Sequence, residues 1–96
     1  MDLGEATLED FEPRIGDAFA VGAAGASVEL VLHSALGLGE WPGGRQPFSL
    51  TFRGPTEPLL PQATYPVEHA ELGAFALFVV PIGQDAGGTL YEAVFT

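Results

Sequence analysis

Cysteine is absent from the sequence, so no disulfide, thiolate nucleophile or cysteine-type zinc site can form. Lysine is absent as well. Three arginines, Arg14, Arg45 and Arg53, stand against thirteen Asp and Glu, and the formal charge is −10. Nucleic-acid binding depends on cations that displace counterions from phosphates, and three arginines on this background make no such footprint. No nucleic-acid partner is expected, and the same argument excludes anionic membrane surfaces. No apolar run approaches the ~20 residues of a membrane helix, so no membrane insertion is expected. Met1 to Glu5 carry neither a basic n-region nor an apolar h-region, which is not a signal peptide. The expectation is a chain that is cytoplasmic as synthesised, with entry into a surface or particle assembly by a route that needs no such signal. Linkers, repeats and low-complexity tracts are also missing.

What remains is one domain spanning residues 1–96, with 47% hydrophobic residues. A domain of this size buries about two-thirds of the surface its unfolded chain exposes, which leaves little room for an elaborate cleft. Helical periodicity is nearly lacking. The one start signal is Thr7-Leu8-Glu9-Asp10, where Thr7 can cap the amide of Asp10 and the acids sit at the positive end of the dipole. Phe11 then turns inward, and Pro13 disfavours helix at Glu12, so the element is about one turn long.

From Asp17 onward the periodicity is that of strands. Ala18 to Val21 alternates, Gly22-Ala23-Ala24-Gly25 reads as a turn, and Ser27 to His33 puts Val28, Leu30 and Leu32 on one face. Gln46 to Arg53 is the clearest strand, with Phe48, Leu50 and Phe52 on one side. Pro55 to Pro61 reads as an extended surface crossing. Thr64 to His69 is weaker, because Pro66 demotes it to an edge or a bulge. Phe75 to Ile82 breaks the alternation: Phe75, Leu77 and Val79 share one face, but Ala76, Phe78, Val80 and Ile82 make the other apolar too. Such a strand is either central with both faces covered or part of an interface. Gly83 to Gly88 is a turn, and Thr89 to Thr96 returns as a hairpin partner. The fold class expected is all-β: a compact six-stranded antiparallel sandwich or small barrel with one short N-terminal helical turn.

Residues with chemistry to offer do not converge in the pattern. His33 lies on the polar face of its strand and His69 closes a weak strand beside Glu68 and Glu71, so both read as exposed imidazoles, without the three or four converging ligands zinc needs. Glu29 and Glu92 are the least unlikely acid–base pair among carboxylates that otherwise read as a solvated face. Gly83 to Gly88 holds one acid only, too few for calcium. The glycines near Gly37 precede no helix, and Ser27, Ser34 and Ser49 lack a nucleophile-elbow context. No cofactor and no enzymatic activity are expected.

Contact residues are a better match. The segment Leu36 to Arg45 is longer than a hairpin needs and carries the single Trp near an Arg, two residue types enriched at interface hot spots. Trp41 either folds back over an open end of the core or makes an external contact. With the outward residues of the two-sided strand, the interface candidates are Trp41, Arg45, Phe78, Val80 and Ile82.

Thr7 to Pro13, Pro47-Phe48-Ser49-Leu50-Thr51-Phe52-Arg53-Gly54-Pro55, Leu60-Pro61-Gln62, Leu72-Gly73, Pro81-Ile82-Gly83 and Tyr91-Glu92-Ala93-Val94-Phe95 together resemble an uncharacterised family of small bacterial β domains. The resemblance spans nearly the whole chain and brings no activity or catalytic residues with it. It implies an association with proteins carrying phage tail-collar domains, and hence an assembly role in phage-tail-like or filamentous bacterial structures. The expectation is a non-enzymatic structural or interaction domain that associates with itself or with a larger protein assembly. The alternative is a barrel that holds a small ligand among Phe19, Phe48, Phe52, Phe75 and Tyr91, against which a count of six strands argues, since so narrow a barrel is filled by its own side chains.

Overall fold

A computed structural model of the chain describes residues 1–39 and 43–96. A one-turn helix α1 (Leu8–Phe11) runs into a 3-10 turn (Glu12–Arg14), followed by β1 (Ala18–Ala23), β2 (Ala26–Gly37), β3 (Phe48–Gly54), β4 (Ala63–His69), β5 (Gly73–Asp85) and β6 (Gly88–Phe95). The six strands form one antiparallel sheet in the order β1-β2-β3-β6-β5-β4, which curls until β4 meets β1. Of the two expected architectures, the barrel form is the one adopted. Its closing seam is narrow, since only Ala20 with Glu68 and Val21 with Val67 pair across it.

Turn chemistry sets the hairpins. Ala24 (φ 51°) and Gly25 (φ 78°) alone join β1 to β2, the two positive-φ residues of a tight turn that matches strand twist. Gly22 and Ala23, expected in the turn, therefore belong to β1. The second tight turn, Ala86-Gly87, likewise extends β5 and β6 past the expected boundaries. Gly88 follows it at φ 127°, against the Gly54 carbonyl, where a side chain would collide.

Alternation along each strand fills the interior. Val21, Leu30, Leu32, Leu50, Phe52, Val67, Val79 and Tyr91 are all at most 1% exposed. α1 plugs one end. Asp10 accepts from the Thr7 N–H at 2.9 Å, and this carboxylate-to-backbone bond, the return half of a capping box, secures the turn. Phe11, at the end of that turn, is fully buried, with ring centroids 5.9 Å from Phe48, 5.6 Å from Phe95 and 6.5 Å from Phe75. Phe48 and Phe95 stack at 4.5 Å, and Phe19 meets Phe52 edge-on at 5.3 Å. The Pro-rich crossing is tied down by two tyrosines. Tyr91 accepts the buried Leu60 N–H at 2.9 Å, and the Tyr65 hydroxyl donates to the Pro61 carbonyl.

Two prolines decide where the sheet stops pairing. Leu32 exchanges both of its backbone bonds with the segment before β1, donating to Asp17 and accepting from Gly16. By strand alternation, Leu30, Val28 and Ala26 also face β1, while Val31, Glu29 and Ser27 face β3. Pairing with β3 begins at Val31 with Arg53. The next rung would join Glu29 to Pro55, which has no N–H. Across the seam, the rung after Ala20 with Glu68 would join Gly22 to Pro66, and it fails for the same reason. Toward β5, Pro66 lies opposite Ala76 at a position that needs no donor, so that ladder runs unbroken from Ala63 to His69. The expected demotion of this strand is thus confined to one of its two sides.

Replacing Phe11 with Ala should lower unfolding free energy by about 3–5 kcal/mol, because the plug would leave a cavity among three rings. Tyr91→Phe should cost about 1–3 kcal/mol, the penalty for a buried Leu60 N–H without a partner. Denaturant melts with unchanged m-values check both.

Candidate functional site

The outward side of the barrel sorts into a charged part and a nearly uncharged one. Along β5, Phe75, Leu77 and Val79 face the core, whereas Phe78 and Ile82 are 50% and 52% exposed and Val80 is half-buried. The strand has a single dry face, and its second apolar face is open to solvent. A bulge between Pro81 and Gly83 gives Ile82 its own outward projection. On β6, Val94 is 53% exposed. The pair Val80 with Glu92 sets the register, and two residues along each strand carry Phe78 and Val94 toward one another. Thr64 stands opposite Phe78 on β4, and Ser49 opposite Val94 on β3, with Leu36 beyond it on β2. Between Gly73 and Gln84, β5 carries no charged side chain; among the described residues, the acids on its neighbouring strands are Glu92, opposite Val80, and Glu68, opposite Ala74 toward the far end. In a chain of charge −10 this is a marked asymmetry.

His69 is the residue for which the sequence reading fails. It was expected at the surface and is buried, with its side chain 3% exposed. Its Nδ1 accepts N–H bonds from Glu71 and Leu72, both at 3.1 Å, within the β4–β5 turn. That nitrogen therefore carries no proton, and Nε2–H donates to Asp17 Oδ2 at 2.8 Å. The ring lies 4.5 Å from Phe19. Asp17, His69 and Glu71 bring potential ligand atoms within 4.8 Å of one another, the spacing of a metal site. The hydrogen bonds speak against that use. A histidine that binds metal through Nε2 carries its proton on Nδ1 and donates it to an acceptor, whereas here Nδ1 faces two donors. The arrangement is a latch that holds the β4–β5 turn to the segment before β1. His33, by contrast, is exposed as expected.

Arg45 is directed inward. Its guanidinium donates to the carbonyls of Leu3, Ala6 and Thr96 and lies over the rings of Phe48 and Phe95, with centroids at 5.9 and 5.6 Å. Its geometry is that of a clamp joining the N-terminal segment to the end of β6. Arg53 pairs with Asp85 at 2.7 Å. The Gly87 N–H and then the Arg53 guanidinium hold the Asp85 carboxyl below its ordinary value. Arg14 approaches Glu71 at 3.6 Å. All three arginines are engaged within the chain. Trp41 lies outside the described residues. Glu29 and Glu92, the carboxylates singled out in the sequence, occupy β2 and β6, which are not neighbours in the sheet.

An open groove of about 750 Å³ runs along the outside of β2, between the Ile15-Gly16 loop and the Pro-rich crossing. Its walls combine Val31, Pro55 and Pro58 with Glu29, His33 and Arg53. Among the described residues, no helix is long and apolar enough to cross a membrane.

Comparison with known proteins places a family model over residues 6–95, that of a domain of unknown function, DUF6916. No curated protein and no solved structure matches the chain.

His69→Ala should destabilise the fold by about 2–4 kcal/mol, since it strands two turn N–H groups and removes a ring packed on Phe19. Zinc added to the wild-type chain should leave its melting temperature unchanged. The folded Asp85 value lies below the unfolded one, so its contribution is present above the ordinary carboxylate range and is lost as pH falls through the folded value. Thermal melts of Asp85→Asn should therefore fall below wild type at neutral pH and converge with it in acid.

Proposed function

We propose that this chain, which belongs to the DUF6916 family of domains of unknown function, is a non-catalytic interaction domain that associates with a second copy of itself through the outward face of β5 and β6. The observation that carries this reading is the apolar strip of Phe78, Ile82 and Val94 with half-buried Val80, on an otherwise acidic domain. Solvent-facing apolar strips of this kind on small domains are the usual mark of contact surfaces. The occupant follows from charge. Two copies repel wherever their acids approach, and among the described residues Glu92 is the one acid on β5 and β6 beside Phe78, Val80 and Val94. A basic partner would favour the acidic remainder of the surface instead. β5 and β6 each pair with a neighbouring strand on both sides, so a contact through them is face to face rather than edge to edge.

A small-ligand barrel is the less favoured reading. Phe19, Phe48, Phe52, Phe75 and Tyr91, its supposed lining, are buried in one continuous core with Phe11 and Phe95. The wider role is a structural component of phage-tail-like or filamentous bacterial assemblies, an idea that rests on the resemblance in sequence alone.

Sedimentation across a concentration series should give a mass that rises toward the dimer, more readily in high salt as the net charge is screened. Phe78→Glu should hold the chain monomeric at every concentration with little change in melting temperature. A wild-type chain that stays monomeric throughout contradicts self-association.

A further inference from the structure

The geometry points to a second binding element, separate from the Phe78 face: the free edge of β2 at Ser27 and Glu29 accepts an extended, basic segment of another chain as an added strand. The backbone carries the argument. Ser27 and Glu29 turn their N–H and C=O groups away from β1, toward the path that β3 would follow if it continued. β3 ends at Gly54, and Pro55 and Pro58 lead the chain away. Among the described residues, no hydrogen bond reaches the outward N–H or C=O of Ser27 or Glu29. These groups line the groove of about 750 Å³ between β2 and the crossing, and both residues are exposed. Ala26 to Leu30 spans about 13 Å, and Ser27 and Glu29 within it offer the kind of backbone pairing that recognises extended peptides. The matching free edge at Gly22 is a single position beside Pro66 and offers much less.

Charge selects the occupant. Glu29 projects beside the free edge, and each arginine of the chain is already engaged, Arg14 near Glu71, Arg45 on carbonyls and Arg53 on Asp85. A second copy would bring Glu29 close to its own counterpart with no free cation to separate them. A Lys or Arg in the incoming strand meets Glu29 across the pair, and opposite charges so placed stabilise a sheet while like charges destabilise it. On the opposite face Val28, which also lines the groove, gives the alternate residues of that strand an apolar surface.

The test uses the full chain, isotopically labelled, and a short acetylated and amidated peptide of alternating Lys and Val. In the free protein, amide exchange at Ser27 and Glu29 should be faster than at Val28 and Leu30, which bond to β1. Adding the peptide should slow and shift the Ser27 and Glu29 amides. Glu29→Lys should weaken binding about tenfold while leaving the melting temperature near wild type, since the side chain is exposed. A peptide N-methylated at alternate residues should not bind. Four results would each overturn the proposal: equal protection of Ser27 and Val28 in the free chain, no response of these amides to millimolar peptide, binding indifferent to N-methylation or to Glu29→Lys, and protection that builds with protein concentration alone. The last would give the edge to a second copy. Loss of self-association in Phe78→Glu leaves this test intact, because its readouts lie on β2.

Discussion

A sheet of six strands that closes on itself encloses a cylinder too narrow for anything except its own side chains. Here Phe11, Phe19, Phe48, Phe52, Phe75, Tyr91 and Phe95 occupy that space, with aliphatic residues between them. Burial of those rings is what holds so short a chain together, and the same packing leaves the interior with nothing to offer a ligand. On the reading proposed above, recognition takes place on the outside of the domain. The chemistry of the outside then becomes decisive, and it is divided: acids over most of the surface, a nearly uncharged apolar strip on β5 and β6, and a short run of unpaired backbone on β2.

The proline positions connect the fold to that outer surface. A barrel ordinarily removes its strand edges. This one restores a piece of edge at the tip of the β1–β2 hairpin, because Pro55 and Pro66 stand where the next rungs need donors. The hairpin tip therefore extends past its neighbours on both sides. Long latches secure the rest. His69 bridges the β4–β5 turn to Asp17, Arg45 joins the N-terminal segment to Thr96, and Tyr91 holds the crossing at Leu60. Each of these contacts fixes a loop that the sheet alone leaves unanchored.

Much of the fold was legible because period-two alternation is a local signal. Gln46 to Arg53 and Thr89 to Thr96 appear as strands close to their observed limits, Ser27 to His33 as the first part of a strand that continues past the expected end to Gly37, and Thr7 to Phe11 as the single helical turn. The boundaries shifted where two-residue turns sufficed for Ala24-Gly25 and Ala86-Gly87, since glycine-rich flanks look like turn but also tolerate strand geometry. The two-faced character of Phe75 to Ile82 was visible, and the structure resolves it into an inward face and a solvent-facing one. The latches were not visible. His69 finds Asp17 across 52 positions, and Arg45 finds Leu3 across 42, distances at which no spacing rule operates. A histidine beside two acids reads as surface until the fold brings Phe19 beneath it. The free edge of β2 was equally hidden, because it depends on which strand Pro55 would have faced.

The central claim is that recognition belongs to the outer surface of a sealed barrel. Methyl NMR across a dilution series of the wild-type chain examines it most directly, since valines lie on both sides of the wall. The expected result is concentration-dependent shifts at Val80, Ile82 and Val94, with the inward methyls of Val21, Val67 and Val79 unmoved. Shifts centred on those inward methyls, or a spectrum that does not change with concentration, would contradict it.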